Sequence, residues 1–138
     1  MIHAEISKQL MIRVDNRVGS LAEVTSFISA SRINLVGICA YEIEGVVSIM
    51  FVTEDNNAAK KILEEHNITV QEEEAILLTL DNRPGALQRI TDKIADAGIN
   101  LRLIYGSAAS GVELCRIVLL SNNNLDTMMI IKTELERS

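Results

Sequence analysis

Tryptophan is absent, and two Tyr and two Phe are the only aromatic residues among 138. The core must therefore be aliphatic, built from the Leu, Ile, Val and Met that dominate a 48% apolar composition. The same scarcity argues against single-stranded RNA, whose bases are gripped by aromatic stacking on an open sheet. Tyr41, Phe51 and Tyr105 do not form such a platform. Basic residues are outnumbered too, leaving a formal net charge of −6. No Lys/Arg stripe offers the footprint that a phosphate backbone or an anionic membrane needs. The two cysteines, Cys39 and Cys115, stand far apart, without a CxxC or a companion His cluster. They read as buried core thiols of a reducing, cytoplasmic setting, and neither a metal nor another cofactor is expected. No apolar run approaches the roughly 20 residues of a membrane-spanning helix. The N-terminus, Met1-Ile2-His3-Ala4-Glu5, lacks the basic start and apolar stretch of a signal peptide.

The chain does contain a repeat, read as gapless at an offset of 66 residues. Asp15-Asn16-Arg17-Val18-Gly19 returns as Asp81-Asn82-Arg83-Pro84-Gly85, and Ile33-Asn34-Leu35 returns as Ile99-Asn100-Leu101. Gly45-Val46 matches Gly111-Val112, and Asn56-Asn57 matches Asn122-Asn123. Between Asp15 and Leu35, 10 of 21 positions are identical to their counterparts. Turn residues and apolar positions coincide together, so shared structure underlies the match.

Each copy reads in the same order. Leu10, Ile12 and Val14, and again Ile76, Leu78 and Leu80, alternate at the period of two that marks a strand. The Asp-Asn-Arg-x-Gly turn follows. Next come Leu21, Val24 and Ile28, or Leu87, Ile90, Ile94 and Ala97, at helical spacing. Pro84 suits a helix start and Gly98 a left-handed helix end. A hairpin then runs from Leu35 to Ile43 and from Val46 to Thr53, turning at Glu44-Gly45, with Ser110-Gly111 as the second copy's turn. A second helix begins near Asn56 and carries Ala59, Ile62, Leu63 and His66 on one side. Ile68-Thr69-Val70 reads as a fourth strand. The βαββαβ order is that of ferredoxin-like folds, with helices on one face of an antiparallel sheet. The fold class is α+β, with domains at 1–72 and 73–138.

The second copy departs at its end. Leu125, Met128, Ile131 and Leu135 extend the last helix to the terminus, so the final strand is missing and an edge is left open. Residues Ile2 to Ile6 are a candidate cover, in the same or another subunit. Glu72-Glu73-Glu74 reads as a solvated linker. Met11, Met50, Val52 and Leu77 fall on the sheet face opposite the helices, an apolar surface that suits association.

The repeated turn has the chemistry of a binding site. A strand ends, the chain turns at Gly19 or Gly85, and a helix begins whose first N–H groups lack internal partners. Those groups and the helix dipole favour an anion. Arg17 and Arg83 add a cation, and Asn16 and Asn82 an amide that both donates and accepts. Asn34 and Asn100 open the next strand at the opposite end of the sheet, so two units side by side are needed to close both around one molecule. Donors for a carboxylate with acceptors for an ammonium describe a free α-amino acid. The plainer role for the same residue types is capping of turns and helix ends.

Asp-Asn-Arg-Pro-Gly-Ala-Leu at 81–87, with Asn100 thirteen residues on in Gly98-Ile99-Asn100-Leu101, resembles the first half of ACT domains. The first copy is similar, with Val18 in place of the proline, and together the copies cover nearly the whole chain. The resemblance implies two ACT domains in tandem, acting as a stand-alone, non-catalytic regulatory protein. Its effector contacts then fall on Asn16 and Asn34 and on Asn82 and Asn100. The loop backbone adds Arg17, Val18, Gly19, Ser20 and Leu21, with Arg83, Pro84, Gly85, Ala86 and Leu87. A His that contacts serine in some members is replaced by Val14 and Leu80, which leaves a more apolar amino acid as well suited. A free amino acid, a homodimeric partner copy and a separate metabolic enzyme are the implied partners. The rival reading is a ferredoxin-like assembly module without a small-molecule ligand. No catalytic constellation accompanies His3, His66 or the scattered serines.

Overall fold

The computed structural model describes residues 2–107 and 111–137. Its elements are β1 (His3–Asp15), α1 (Ser20–Ala30), β2 (Leu35–Ile43), β3 (Val46–Thr53), α2 (Asn56–Glu65), β4 (Gln71–Asp81), α3 (Ala86–Asp96), β5 (Leu101–Ser107), β6 (Leu114–Ser121) and α4 (Asn124–Glu136). The chain divides into two compact units, Lys8–Glu73 and Met1–Ser7 with Glu74–Ser138.

In the first unit the sheet runs β2-β3-β1-β4, using Lys8–Asp15 of β1 and the first three residues of β4. β3 is antiparallel to both β1 and β2, with Asp15 opposite Val46 and Leu35 opposite Thr53. Alternate residues Leu10, Ile12, Ile49 and Phe51 share a core with Val24 and Ile28 of α1 and with Ala59 and Leu63 of α2. The period-two and period-3.6 patterns thus meet on one sheet face. Burying Phe51 completely contributes on the order of 2–3 kcal/mol. At the far end of the helices the Phe27 ring stacks on His66, centroids 3.8 Å apart.

The second unit repeats this order with one exchange. β6 is antiparallel to β4 and β5, and its sheet runs β1-β4-β6-β5, with residues 3–7 of β1 in the fourth-strand place. Ala4 joins the core of Ile76, Leu78, Leu80, Ile90, Ile94, Ile117, Leu119, Met128 and Ile131, with Ile2 packed beside it. Residues 2–7, which the 1–72 boundary assigns to the first domain, pack in this second unit within the same chain. The N-terminal part of β1 occupies the edge of β4 that the first unit covers otherwise. Ile2, Ala4 and Ile6 alternate with His3 and Glu5, as a strand requires.

Several expectations are corrected. β4 starts at Gln71, so Ile68–Val70 precede the strand, and Glu72–Glu74 lie inside it and are no linker. Lys60 pairs with Glu72 at 3.2 Å, which helps a charged run join a strand. The repeat is not gapless: Asp15 faces Val46 while Asp81 faces Leu114, so the offset grows from 66 to 68 within the second hairpin. Asn56 therefore corresponds to Asn124, not Asn122. Of the expected hairpin turn, Ser110 lies outside the described residues; Gly111 has a positive φ of 78°. Met50 and Val52 are only 3% and 2% exposed, so they form no open association face. Cys39 and Cys115 are free and half-buried, not fully internal. Leu125 and Ala97, placed on inner helix faces by spacing, are exposed.

Candidate functional site

Both turns are built alike. Arg17 N donates to the Asp15 carbonyl at 2.9 Å and Arg83 N to the Asp81 carbonyl at 3.0 Å, tightening the chain directly after the strand. Asn16 N donates to the Gly45 carbonyl at 2.9 Å, and Asn82 N to the Glu113 carbonyl at 2.8 Å, anchoring each turn to its hairpin. Gly19 (φ 88°) and Gly85 (φ 86°) then take left-handed conformations that admit the helices at Ser20 and Ala86. Glycine is suited to such a φ because other residues strain there.

Neither helix start carries a side-chain cap. The side-chain caps are at α2 and α4, where Asp55 accepts from Ala58 N at 3.1 Å and Asn123 from Asp126 N at 3.0 Å. Asn16 and Asn82 thus stand four residues ahead of their helices and do not cap them. Ser20 N and Ala86 N donate to the Arg17 and Arg83 carbonyls at 3.1 and 3.3 Å, so the anion-attracting donors are the N–H groups that follow them, with the helix dipole behind.

The two turns differ in how their side chains are engaged. Asn82 Nδ2 donates to the Val112 carbonyl at 3.0 Å, and Arg83 lies 3.6 Å from the Asp81 carboxylate. In the first turn, among the described residues, the exposed Asn16 side chain makes no hydrogen bond and Arg17 no ion pair. Ser20 Oγ instead braces the backbone, donating to the Asp15 carbonyl at 2.9 Å and accepting from Arg17 N at 3.3 Å. Ala86 replaces it in the second turn. Val18 is fully exposed, and Leu21 and Leu87, expected in the cores, are 42% and 37% exposed beside the turns. Apolar groups at the mouth of a polar turn suit a ligand with an apolar side chain.

Asn34 and Asn100 do not join the turn residues of their own units. Asn16 follows Asp15 opposite Val46, whereas Asn34 precedes Leu35 opposite Thr53. Seven residues of β3 separate the two levels, roughly 23 Å at the strand rise. Leu114 and Ser121 set the same separation between Asn82 and Asn100. Asn34 Nδ2 donates to Glu54 Oε2 at 3.3 Å, and the Asn34 carbonyl accepts from Glu54 N at 3.0 Å. The Asn100 carbonyl accepts from Asn122 N at 3.1 Å.

Cavities near the second turn are of two kinds. A small, partly open one of about 20 Å³, bordered by Ile2, Asp81, Arg83, Arg89 and Glu134, has room for about one water. An open cleft of about 290 Å³ lies outside, along Arg83, Gly85, Gln88, Arg89 and Asp92. Arg89, which borders both, is 3.3 Å from the mostly buried Glu134 carboxylate. A larger, shallow depression of about 490 Å³ on the polar face of α2 is lined by no residue of either turn. Among the described residues, no group of three or more His, Cys, Asp or Glu is placed to hold a metal, and no helix is long and apolar enough to cross a membrane.

Residues 8–70, nearly all of the first unit and its Asn-Arg turn included, match the family model of the ACT domain. No curated protein sequence matches. Solved structures share the fold over nearly the whole chain. A protein from Bacteroides thetaiotaomicron is similar with a TM-score of 0.87 at 24% identity, covering 95% of this chain and 90% of that one. The aspartokinase alpha and beta subunits are similar with a TM-score of 0.66 at 13% identity, covering 96% and 97%. The ligand-free regulatory subunit of aspartate kinase from Thermus thermophilus follows with a TM-score of 0.65 at 11% identity, covering 95% of each.

Proposed function

We propose that this protein is a non-catalytic regulator that binds a free amino acid at interfaces between ACT domains and signals to a separate enzyme. The observation that carries this reading is the uncapped helix start beside an exposed Asn16 side-chain amide that, among the described residues, makes no hydrogen bond. Residues that serve as caps elsewhere in this chain are left open here, with donors for a carboxylate and an amide oxygen for an ammonium. The ACT match over the same residues supports it, as does the fold shared with an aspartate kinase regulatory subunit.

A second copy completes the site. β2 is an edge strand with Leu35, Ile38, Tyr41 and Ile43 exposed and one charge, Glu42, in its length. Such an edge pairs readily with another strand. Antiparallel pairing of β2 with its copy about Cys39 sets the partner's Leu35 opposite Ile43. The partner's Asn34 then lies next to Gly45, whose carbonyl holds Asn16 N. The roughly 23 Å gap within one unit closes between two copies.

A thermal-shift screen of the twenty amino acids tests the proposal, because a ligand of the folded state alone raises Tm by mass action. A saturable rise with one or a few amino acids is expected. A flat screen at millimolar concentrations would leave an assembly module that binds no amino acid.

A further inference from the structure

We infer that the two copies have diverged, so that the first turn (Asn16, Arg17, Glu23) takes the amino acid and the second (Asn82, Arg83, Arg89) is a structural joint. This rests on the amino-acid reading above and adds which copy carries it. A zwitterion needs an acceptor for its ammonium and a donor or cation for its carboxylate, each able to leave water for the ligand. A group already held by the protein must first break that bond, so engaged groups bind more weakly.

At the first turn a cation, an anion and an amide of the turn itself are present and unengaged, while Asn34 at the other end of the sheet is held by Glu54 at 3.3 Å. Arg17 contributes a cation, and Glu23 in the first turn of α1 an anion. Among the described residues neither is in an ion pair, and the Asn16 amide bonds to nothing. Ser20 holds the backbone of the turn, so these three side chains are not needed to shape it.

At the second turn the equivalent positions are spent. Asn82 secures the hairpin through the Val112 carbonyl. Arg83 faces Asp81, and Arg89, at the position of Glu23, faces Glu134. The anion of the pair at the helix start has been replaced by a second cation, and each cation is matched by a carboxylate of the unit itself. Among the described residues, the unmatched ammonium acceptors that line the outer cleft are Gln88 and Asp92, both on the helix and neither in the turn itself. The small cavity that shares Arg83 and Arg89 with this cleft holds only about a water.

Isothermal titration of the full chain with the amino acid that gives the largest thermal shift tests the inference. One equivalent per chain is expected, and Asn16→Ala and Arg17→Ala should each weaken affinity by tenfold or more while leaving no second class of site. Unliganded Tm and circular dichroism of both variants verify folding, which these exposed positions should not disturb. Two equivalents in the parent chain, or one full-affinity equivalent surviving in Asn16→Ala, would overturn the divergence and leave the amino-acid reading intact. Absence of binding by every amino acid overturns that reading, and the inference falls with it.

Discussion

Asn56 ties the start of α2 to β1, its amide nitrogen donating to the Lys8 carbonyl at 2.8 Å. Its oxygen accepts from both Thr53 N and Thr53 Oγ1 at 2.9 Å, so one side chain joins the end of β3, the helix start and the neighbouring strand. Asn124 repeats the set, donating to the Glu74 carbonyl at 3.1 Å and accepting from Ser121 N at 2.8 Å. An amide donates from its nitrogen and accepts at its oxygen, which a carboxylate cannot do.

Asn124→Asp should therefore destabilise the protein although it keeps the size and the helix-start preference. The carboxylate loses the donor and sets a negative charge against the Glu74 carbonyl. A loss of about 1–3 kcal/mol is expected from urea unfolding at neutral pH. A change below about 0.5 kcal/mol would show that the tie to β4 is dispensable.

The N-terminal strand leads to a sharper expectation. Deleting the first seven residues removes Ala4 from the second unit's core and exposes the edge of β4, while every core residue of the first unit remains. Hydrogen exchange should accelerate in β4, β6 and α4 while α1 and β3 keep their protection. Uniform loss of protection would mean that the units unfold as one.

Arg32 has φ 57° at the end of α1, where the second copy has Gly98 at φ 72°. A side chain in this left-handed region costs about 1–2 kcal/mol, and glycine's flexibility in the unfolded chain returns part of that. Arg32→Gly should therefore stabilise by roughly 0.5–1 kcal/mol. A fall in Tm would reveal a contribution of the Arg32 side chain that outweighs its backbone strain.

The elements were legible in the sequence because most obey one period at a time. Leu10, Ile12 and Val14 announce a strand, and Val24 and Ile28 a helix, with little help from the rest of the fold. Both hairpin strands of the first unit have the expected bounds, Leu35–Ile43 and Val46–Thr53. The offset change in the second hairpin was not legible, since polar loop residues carry no period and Gly111-Val112 matched Gly45-Val46 by coincidence of type. The strand role of Ile2–Ile6 was visible only as a short alternation. Its place in the second unit is a matter of topology, the pairing with β4, and not of local pattern. Leu21 and Leu87 fit the helical stripe but lie at its first turn, beyond the reach of the sheet. The motif placed Asn16 and Asn82 in turns. Which of them was already bonded depended on the opposing hairpin carbonyls, which no spacing within the motif encodes.

Gly106 in β5 illustrates close approach rather than a special φ. A Cβ there would sit 2.8 Å from the Arg116 carbonyl oxygen and 3.0 Å from Ile117 Cγ1. The first of these neighbours is backbone and can yield only by moving the strand. Gly106→Ala should cost about 1–3 kcal/mol in denaturant unfolding, as overpacking does. An unchanged midpoint would show that this edge strand shifts freely.

The turn asparagines should separate stability from binding. Asn82→Ala removes the donor to the Val112 carbonyl, and a hydrogen bond of this kind contributes about 0.5–1.5 kcal/mol. Asn16→Ala removes an exposed amide that bonds to nothing among the described residues, so its unfolding midpoint without ligand should stay within about 0.5 kcal/mol of the parent. Measured on the same day in the same buffer, the pair should rank Asn82→Ala below Asn16→Ala by roughly 1 kcal/mol. The reverse order would place the structural bond in the first copy and remove the distinction drawn between the turns. Equal losses would assign both residues to the fold, since a residue kept for a ligand has no reason to stabilise the empty protein.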